Sequence, residues 1–209
     1  MRTRRKLIAF AVVTLLVAGT NLAAGSAAPK NPIAENVIVM ISDGRGFEHD
    51  TAVSYYQFGK DSRQVYSHFP TELAMSTYMA YYENDSCYGH GYDPVSAWSD
   101  FGYVTDCYTD SAAAATTMAT GVKTFGGAIG VDLNLDPLLT ILEFAEGFGK
   151  ATGVVTSVEW THATPAGFVA HNVSRNNYAE IGEEMVYESA ADVIMGAGHP
   201  WYDADGQPK

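Results

Sequence analysis

The sequence predicts an α/β fold built on a largely parallel sheet, and three observations support this prediction. Apolar, β-branched runs recur along the chain, as NVIVMIS at residues 36–42, ATGVVTSVEW at 151–160 and ADVIMGAG at 191–198. Such runs are continuous rather than alternating, which is typical of parallel strands buried on both faces. Helix-forming segments lie between the runs. Strands that alternate with helices indicate parallel strands joined by helical crossovers.

Composition and charge set limits on the class of protein. The 209 residues are 47% hydrophobic, which is enough for one domain with a core. The formal net charge is -12, although the 12 basic residues include four at the amino terminus, Arg2, Arg4, Arg5 and Lys6. A chain this acidic has no nucleic-acid-binding module. If it handles anions, it needs a metal ion or a well-placed arginine to overcome its own field locally.

Residues 1–28 have the pattern of an export signal. A basic start, MRTRRK, precedes the apolar run LIAFAVVTLLVAGTNLAA and the small residues AGSAA, so we expect cleavage near residues 26–28. The protein is then exported to the periplasm or the extracellular space. A retained membrane anchor is the competing interpretation, because the apolar run is not short. The paired arginines of TRRKLI also fit a twin-arginine signal.

The first predicted strand, residues 36–42, ends at DGRGF, where Asp43 precedes two glycines. Ligands of open α/β sheets collect beyond the carboxyl ends of strands, so Asp43 is a candidate functional residue. An aspartate before glycine is equally a common turn residue.

Residues 81–108 are rich in Tyr, Gly, Asp and Ser and predict a long loop or insertion. The loop contains the two cysteines of the chain, Cys87 and Cys107. In an oxidising compartment they can form one disulfide, and two free thiols are the alternative.

Three helices are predicted after this loop. CYTDSAAAATTMATG combines capping residues with an alanine run and predicts a helix that starts near Ser111 and ends at Gly121. DPLLTILEFAEGFGK predicts an amphipathic helix with Asp136 and Pro137 at its start. NYAEIGEEMVYESA predicts a third. The polar ending HPWYDADGQPK follows a strand of buried type, so we expect the chain to be truncated at Lys209.

Ser111 lies at the predicted amino-terminal end of this helix, where the backbone N–H groups are free. These groups and the positive end of the helix dipole favour a bound phosphate. No G-x-S-x-G motif and no adjacent histidine accompany it, which argues against a hydrolase triad. Metal coordination is then the remaining way to activate the hydroxyl. A tightly packed, capped helix without function is the alternative.

Three segments, taken together, resemble the alkaline phosphatases and occur in that family's order. They are NVIVMISDGRG, TDSAAAATTMATGVKTFGGAIGVD and TSVEWTHATPAGFVAHNVSRNNYAEI, and the likeness runs over residues 36–198. The resemblance implies a three-layer α/β sandwich around a mostly parallel sheet, of which residues 29–209 are the N-terminal portion. It also implies an exported phosphomonoesterase that uses two zinc ions and one magnesium ion and is a homodimer when complete.

The resemblance assigns roles to individual residues. Ser111 matches the nucleophile, which forms a phosphoserine and is also a zinc ligand. Asp43 matches a carboxylate between one zinc and the magnesium, and Thr164 matches a magnesium ligand. Arg175 matches the arginine that holds two phosphate oxygens through its planar fork. Asp110 matches the aspartate that orients this arginine.

His162 is the position where the chain departs from some members of that family, which have aspartate there. Imidazole is a poor ligand for magnesium, so a water-mediated contact, a different third metal or a hydrogen-bonded loop histidine are all open. His171 lies in the same segment, and no role is assigned to it.

Two other interpretations remain open. A phosphodiesterase or sulfatase of the same superfamily would share the fold, but the fork of Arg175 favours a terminal phosphate. A non-catalytic, truncated remnant is the other. The family's remaining zinc ligands are not in this sequence, so we expect the 209 residues alone to be inactive or nearly so.

Overall fold

The computed structural model describes residues 34–88, 93–189, 191–198, 201–202 and 207–208. The predicted export signal lies outside these residues. The chain divides into two compact units, residues 1–40 and 41–209, and every helix and strand described lies in the second. In chain order they are α1 Phe47–Phe58, α2 Pro94–Ser99, α3 Ser111–Thr120, α4 Ile141–Glu146, β1 Gly153–Glu159, α5 Ala163–Ala166, α6 Tyr178–Tyr187 and β2 Val193–Ala197. Short 3-10 helices span Val65–His68 and Phe101–Thr105.

The two predicted strands that follow α4 and α6 form a parallel pair. β1 pairs with β2 in the register Gly153↔Val193 and Val154↔Ile194. Parallel strands need a crossover connection, and here α5 and α6 supply it. The α/β prediction and the parallel pairing are therefore confirmed. None of the described helices is both long and apolar enough to cross a membrane.

The prediction of a buried strand at residues 36–42 is wrong for the described structure. This segment has no strand, and Val37, Ile38 and Met40 are 74%, 84% and 90% exposed. A parallel strand is buried only when it has hydrogen-bonded neighbours and cover on both faces. The sheet that the described residues form consists of β1 and β2 alone. Their own side chains are largely exposed too, as Val155 and Met195 show.

The core is built on α3, the predicted alanine-rich helix, which is confirmed. Ala112, Ala115 and Ala119 are buried against α5 and its neighbours. The contact is close: a Cβ added to Gly167 would lie 2.8 Å from the Cβ of Ala115. Small residues on both sides are what allow the two backbones to approach. Gly121 ends α3 in the left-handed conformation, with φ of 76°.

The other two predicted helices are observed, but one starts later than expected. α6 lies where NYAEIGEEMVYESA predicted it. α4 begins after Thr140, which forms a capping box with Glu143, and not at Asp136 and Pro137. Asp132 holds the preceding turn by accepting hydrogen bonds from the backbone N–H groups of Asn134 and Asp136. Sequence reasoning missed α1 altogether, because its only buried residue is Ser54 and it has no apolar stripe.

Residues 81–108 have more structure than the predicted loop. They contain α2, whose N-cap is Asp93, and the 3-10 helix Phe101–Thr105. Cys87 and Cys107 form the predicted disulfide, with 5.6 Å between their Cα atoms. The hydroxyl of Tyr81 donates a hydrogen bond to the carbonyl of Cys107. The disulfide and this bond fasten both ends of the segment to each other.

His171, which received no role from the sequence, joins α6 to the chain around α4. Its Nδ1 lies 3.0 Å from Glu184 Oε1, and its Nε2 lies 2.9 Å from the carbonyl oxygen of Leu138. Glu143 Oε2 is 3.8 Å from the same Nε2. The hydrogen bond with Glu184 is the main cause of a raised pKa of His171; burial opposes it, and the carbonyl and Glu143 add to it. Acceptors at both ring nitrogens thus favour the imidazolium more than water does around a free imidazole.

The charge of His171 should make the protein's stability depend on pH. Because the folded-state pKa is raised, the stabilisation is complete below the unfolded value of about 6.5 and is lost as the pH rises through the folded value. We expect wild type to exceed His171→Gln in free energy of unfolding by the largest margin below about pH 6. Denaturation from pH 5 to 9 measures this margin, with the exposed His68→Gln as control. A margin that is constant with pH would contradict the assignment.

Buried Thr116 should be a main polar support of the core. Its Oγ1 donates to the carbonyl of Ala128 (3.1 Å) and accepts from the N–H of Gly130 (2.9 Å). Thr116→Val keeps the shape but leaves both groups unpaired, so we expect a loss of about 1–3 kcal/mol in the free energy of unfolding. Urea denaturation measures it. Thr117→Val, which loses only a bond to a helix carbonyl, is the control, and equal losses in both variants would contradict the prediction.

Candidate active site

The carboxylate of Asp110 connects three parts of the chain. It is the N-cap of α3, where its Oδ1 accepts a hydrogen bond from the N–H of Ala113 (3.0 Å). Its Oδ2 accepts from the N–H of Gly127 (3.1 Å) and from Nη1 of Arg175 (3.0 Å). The predicted pairing of Asp110 with Arg175 is therefore present, and one side chain holds the start of α3, a glycine loop and the arginine together.

The electrostatic state of Asp110 follows from these contacts. Partial burial acts to raise the pKa of this carboxyl, but the N–H groups of Ala113 and Gly127 and the guanidinium of Arg175 outweigh it, and the pKa is lowered. Hydrogen bonds to the charged form favour that form. Asp110 is thus an anion at neutral pH and forms an ion pair with Arg175.

Arg175 is held on both sides of its guanidinium. Nη1 donates to Asp110, and Nη2 lies 3.2 Å from Nε2 of His162. The backbone N–H of Arg175 also donates to the carbonyl of Gly127 (2.7 Å). A guanidinium has five N–H donors, so these two side-chain contacts leave others for an oxyanion. The side chain is partly buried and already oriented.

His162 is the N-cap residue of α5 and contacts the arginine through Nε2. Because arginine can only donate, Nε2 must accept, and the proton of a neutral imidazole then lies on Nδ1. Nδ1 is buried and has no hydrogen-bond partner among the described residues. The geometry gives His162 a contact that orients Arg175. Its predicted metal role stays a prediction.

Asp43 and Thr164 form a second pair. Oγ1 of Thr164, in α5, donates to Oδ2 of Asp43 at 2.9 Å across 121 positions of sequence. Two neighbouring oxygens suit a hard cation such as magnesium, which prefers oxygen ligands and keeps several waters. Among the described residues as a whole, no three His, Cys, Asp or Glu side chains come together in a way that could hold a metal ion.

Ser111 is the first residue of α3 and is half-buried. It follows Asp110 directly, so it lies at the helix end whose N–H groups and dipole favour an anion. α5 carries Thr164 and follows His162, and it packs on α3. Packing of these two helices therefore brings most of the predicted site residues into one region.

Gly127 is a member of this site that sequence reasoning did not identify. Its N–H donates to Asp110 and its carbonyl accepts from Arg175, with φ of 86°. A side chain is strained at this φ, so glycine is required here. The signal in the sequence was the pair of glycines in TFGGAIG, which by itself indicates no more than a turn.

Comparisons with known proteins agree on one family. The family model described as alkaline phosphatase matches residues 34–207. Alkaline phosphatase 3 of Bacillus subtilis is 36% identical over 174 residues, which are 81% of this chain and 34% of that protein. The alkaline phosphatase of Escherichia fergusonii is 36% identical over 183 residues, 79% of this chain and 35% of that protein.

One solved structure extends the comparison to the fold. The crystal structure of a cold-active alkaline phosphatase from the psychrophile Shewanella sp. matches with a TM-score of 0.60 and 36% identity. It covers 79% of this chain and 36% of the other. The chain thus spans about a third of the length of the curated relatives it matches.

Loss of the charge on Asp110 should destabilise the protein in a pH-dependent way. Asp110→Asn removes the charge-assisted hydrogen bond from Arg175 and turns the amide NH₂ group toward one of the N–H donors that the carboxylate accepted from. We therefore expect the free energy of unfolding to fall by about 1–3 kcal/mol at pH 7. Since the folded-state pKa is lowered, the stabilisation is present above the unfolded value of about 3.9 and is lost as the pH falls through the folded value. Denaturation at pH 7, 5 and 3.5 measures this.

The matched control for this prediction is Asp132→Asn. Asp132 also accepts hydrogen bonds from backbone N–H groups, but it has no arginine partner in the described structure. We expect Asp132→Asn to lower the free energy of unfolding by less than Asp110→Asn does. A loss for Asp110→Asn that matches the control at pH 7 would show that the ion pair with Arg175 contributes nothing.

Proposed function

This chain belongs to the alkaline phosphatase family, and on that premise we propose that the protein hydrolyses phosphate monoesters through a phosphoserine at Ser111. The observation that carries the proposal is the set of hydrogen bonds around Asp110. It fixes an oriented guanidinium and the amino-terminal end of a ten-residue helix beside one serine. Both features bind phosphate oxygens.

The chain's own groups suggest how the reaction proceeds. Arg175 holds two non-bridging oxygens of the phosphoryl group and neutralises charge that develops on them. Ser111 Oγ attacks phosphorus in line and loses its proton to solvent, the P–O bond to the alcohol breaks, and the alcohol leaves with a proton from water. A water molecule then attacks phosphorus, the bond to Ser111 breaks, and inorganic phosphate is released. Serine is regenerated.

Metal dependence is part of the proposal. Asp43 and Thr164 supply two adjacent oxygens that fit a magnesium ion, and the ion would supply positive charge beside the phosphoryl group when bound. The two zinc sites implied by the resemblance are a different matter. The described residues bring together no group of His, Cys, Asp and Glu that could complete either of them, and we assign no step to zinc.

The substrate and setting follow the same reasoning. A guanidinium that holds two non-bridging oxygens leaves a monoester a third one for a cation, whereas a diester has none left, so this arrangement favours a monoester. The disulfide between Cys87 and Cys107 and the apolar leader support export to an oxidising compartment, periplasmic or extracellular. Assembly into a homodimer belongs to the proposal on the strength of the resemblance alone.

Trapping of the covalent intermediate tests the proposal. The protein from its natural source is incubated with a 32P-labelled aryl phosphate, quenched in acid and digested. We expect label on the peptide that contains Ser111, because the serine ester of phosphate is formed in every turnover. Ser111→Ala should carry no label and lose at least about 1,000-fold in kcat/KM, or about 4 kcal/mol of transition-state stabilisation.

Ser99→Ala is the control, since Ser99 is exposed at the end of α2. Full activity of Ser111→Ala, or label on another residue, would refute the mechanism. The 209 residues assayed alone should be nearly inactive, because a two-metal phosphatase needs both ions. A rate equal to that of an intact relative, abolished by Ser111→Ala, would overturn that expectation.

A further inference from the structure

Residues 78–82, which we name the brace, support the glycine loop of the candidate active site. The backbone N–H of Ala80 donates a hydrogen bond to the carbonyl of Thr124 at 2.9 Å. A Cβ added to Gly126 would lie only 3.1 Å from Sδ of Met79, so the two segments are closely packed there. Because closely packed segments transmit a displacement to each other, the position of the glycine loop depends on the brace.

The brace is also fastened to the residues that lead into α3. The hydroxyl of Tyr81 donates a hydrogen bond to the carbonyl of Cys107, which precedes Asp110 by three positions. Tyr81 is buried, and burial, followed by the charges of Asp85 and Tyr103, raises the pKa of its hydroxyl. The hydroxyl therefore stays protonated in moderately alkaline solution and continues to donate this bond.

The disulfide makes a second connection between the brace and the residues before α3. It joins Cys107 to Cys87, which lies six positions after Tyr81. Both cysteines are half-buried, and they line an open cleft of about 330 Å³ together with Asp110. A small dithiol therefore has access to the sulfur atoms, and the bond that it would break lies beside the candidate site.

These contacts act on Arg175 through the two residues that hold it. The carboxylate of Asp110 accepts hydrogen bonds from Nη1 of Arg175 and from the N–H of Gly127, whose carbonyl accepts from the backbone N–H of Arg175. The brace holds the glycine loop directly and holds the chain before Asp110 through Cys107. Because hydrogen bonds weaken steeply when their geometry is disturbed, a shift between these two sides would release the guanidinium from its orientation.

We propose that Tyr81 is a positioning residue, which together with the disulfide of Cys87 and Cys107 holds Arg175 in the orientation that binds phosphate. The inference rests on the proposed function, because it concerns the arginine that would hold the phosphoryl oxygens. Phosphate affinity then depends on the redox state of the disulfide.

The redox step needs a dithiol as the reductant. The dithiol transfers two electrons and two protons to the disulfide, the S–S bond breaks, two thiols form, and the dithiol closes to a cyclic disulfide of its own. Cys107 then loses one of its two connections to the brace. We expect phosphate to bind more weakly in this state, because the guanidinium is no longer fully oriented before the ligand arrives.

Inhibition by inorganic phosphate tests the role of Tyr81 in the protein from its natural source and in full-length variants. The Ki of phosphate is measured against hydrolysis of 4-nitrophenyl phosphate. Tyr81→Phe keeps the buried ring but not the hydrogen bond, so we expect Ki to rise about five-fold, the equivalent of one hydrogen bond. Tyr88→Phe, the same change at an exposed tyrosine of the disulfide loop, should leave Ki unchanged. A lower melting temperature of Tyr81→Phe with an unchanged Ki would show a merely structural role and overturn the inference.

A double-mutant cycle shows whether the effect passes through the arginine. Arg175→Ala should itself raise Ki, and adding Tyr81→Phe to it should cause no further rise, because the group that Tyr81 positions is then missing. An equal rise in both backgrounds would contradict the proposal.

The disulfide gives a further measurement that needs no change at Tyr81. The double variant Cys87→Ser, Cys107→Ser should have a raised Ki, and dithiothreitol should raise the Ki of wild type to the same value while leaving that of the double variant unchanged. Equal effects of the dithiol on both proteins would overturn the inference. An unchanged Ki in the double variant, with turnover still abolished by Ser111→Ala, would also overturn it and leave the phosphatase proposal standing. Failure of wild type to hydrolyse 4-nitrophenyl phosphate would overturn both.

Discussion

The hydrogen bonds of the Asp110 carboxylate are the contacts on which the rest of the site depends. They join the first turn of α3, the glycine loop at Gly127 and Arg175, which lies 65 positions away in sequence. Each donor alone could be satisfied by water. Gathered on one partly buried anion, they fix the arginine and the helix end relative to each other, as charge-assisted bonds do when their partners are already placed.

Close packing transmits this arrangement to the second pair of site residues. Thr164 lies on α5, His162 caps it, and α5 meets α3 through alanines and Gly167. Because the backbones nearly touch, a shift of α5 would have to move α3 with it. The alanine run therefore has a purpose beyond helix propensity: it sets the separation between the arginine side of the site and the Asp43–Thr164 pair.

Sequence reasoning found what local chemistry determines. The cap, alanine run and terminal glycine of α3 are local signals, and so are the helical pattern of α6 and the apolar runs of β1 and β2. It failed where a result depends on distant partners. The segment at 36–42 needed neighbours that the described sheet does not offer, and Gly127 acts only because Asp110 and Arg175 meet there. Thr140 displaced the expected start of α4 because its capping box competes with Asp136 and Pro137.

The balance of charge explains why the proposed function calls for a cation in addition to the arginine. Arg175 and Asp110 form an ion pair, so together they contribute almost no net charge to a bound phosphate. The protein itself adds the amino-terminal end of α3, whose dipole is equivalent to roughly half a positive elementary charge. Under the proposed function, a phosphate monoester dianion is held against this in a chain of net charge -12. If the oxygens of Asp43 and Thr164 hold a divalent cation, that ion would bring two positive charges to a site where the charge of Arg175 is already balanced by Asp110.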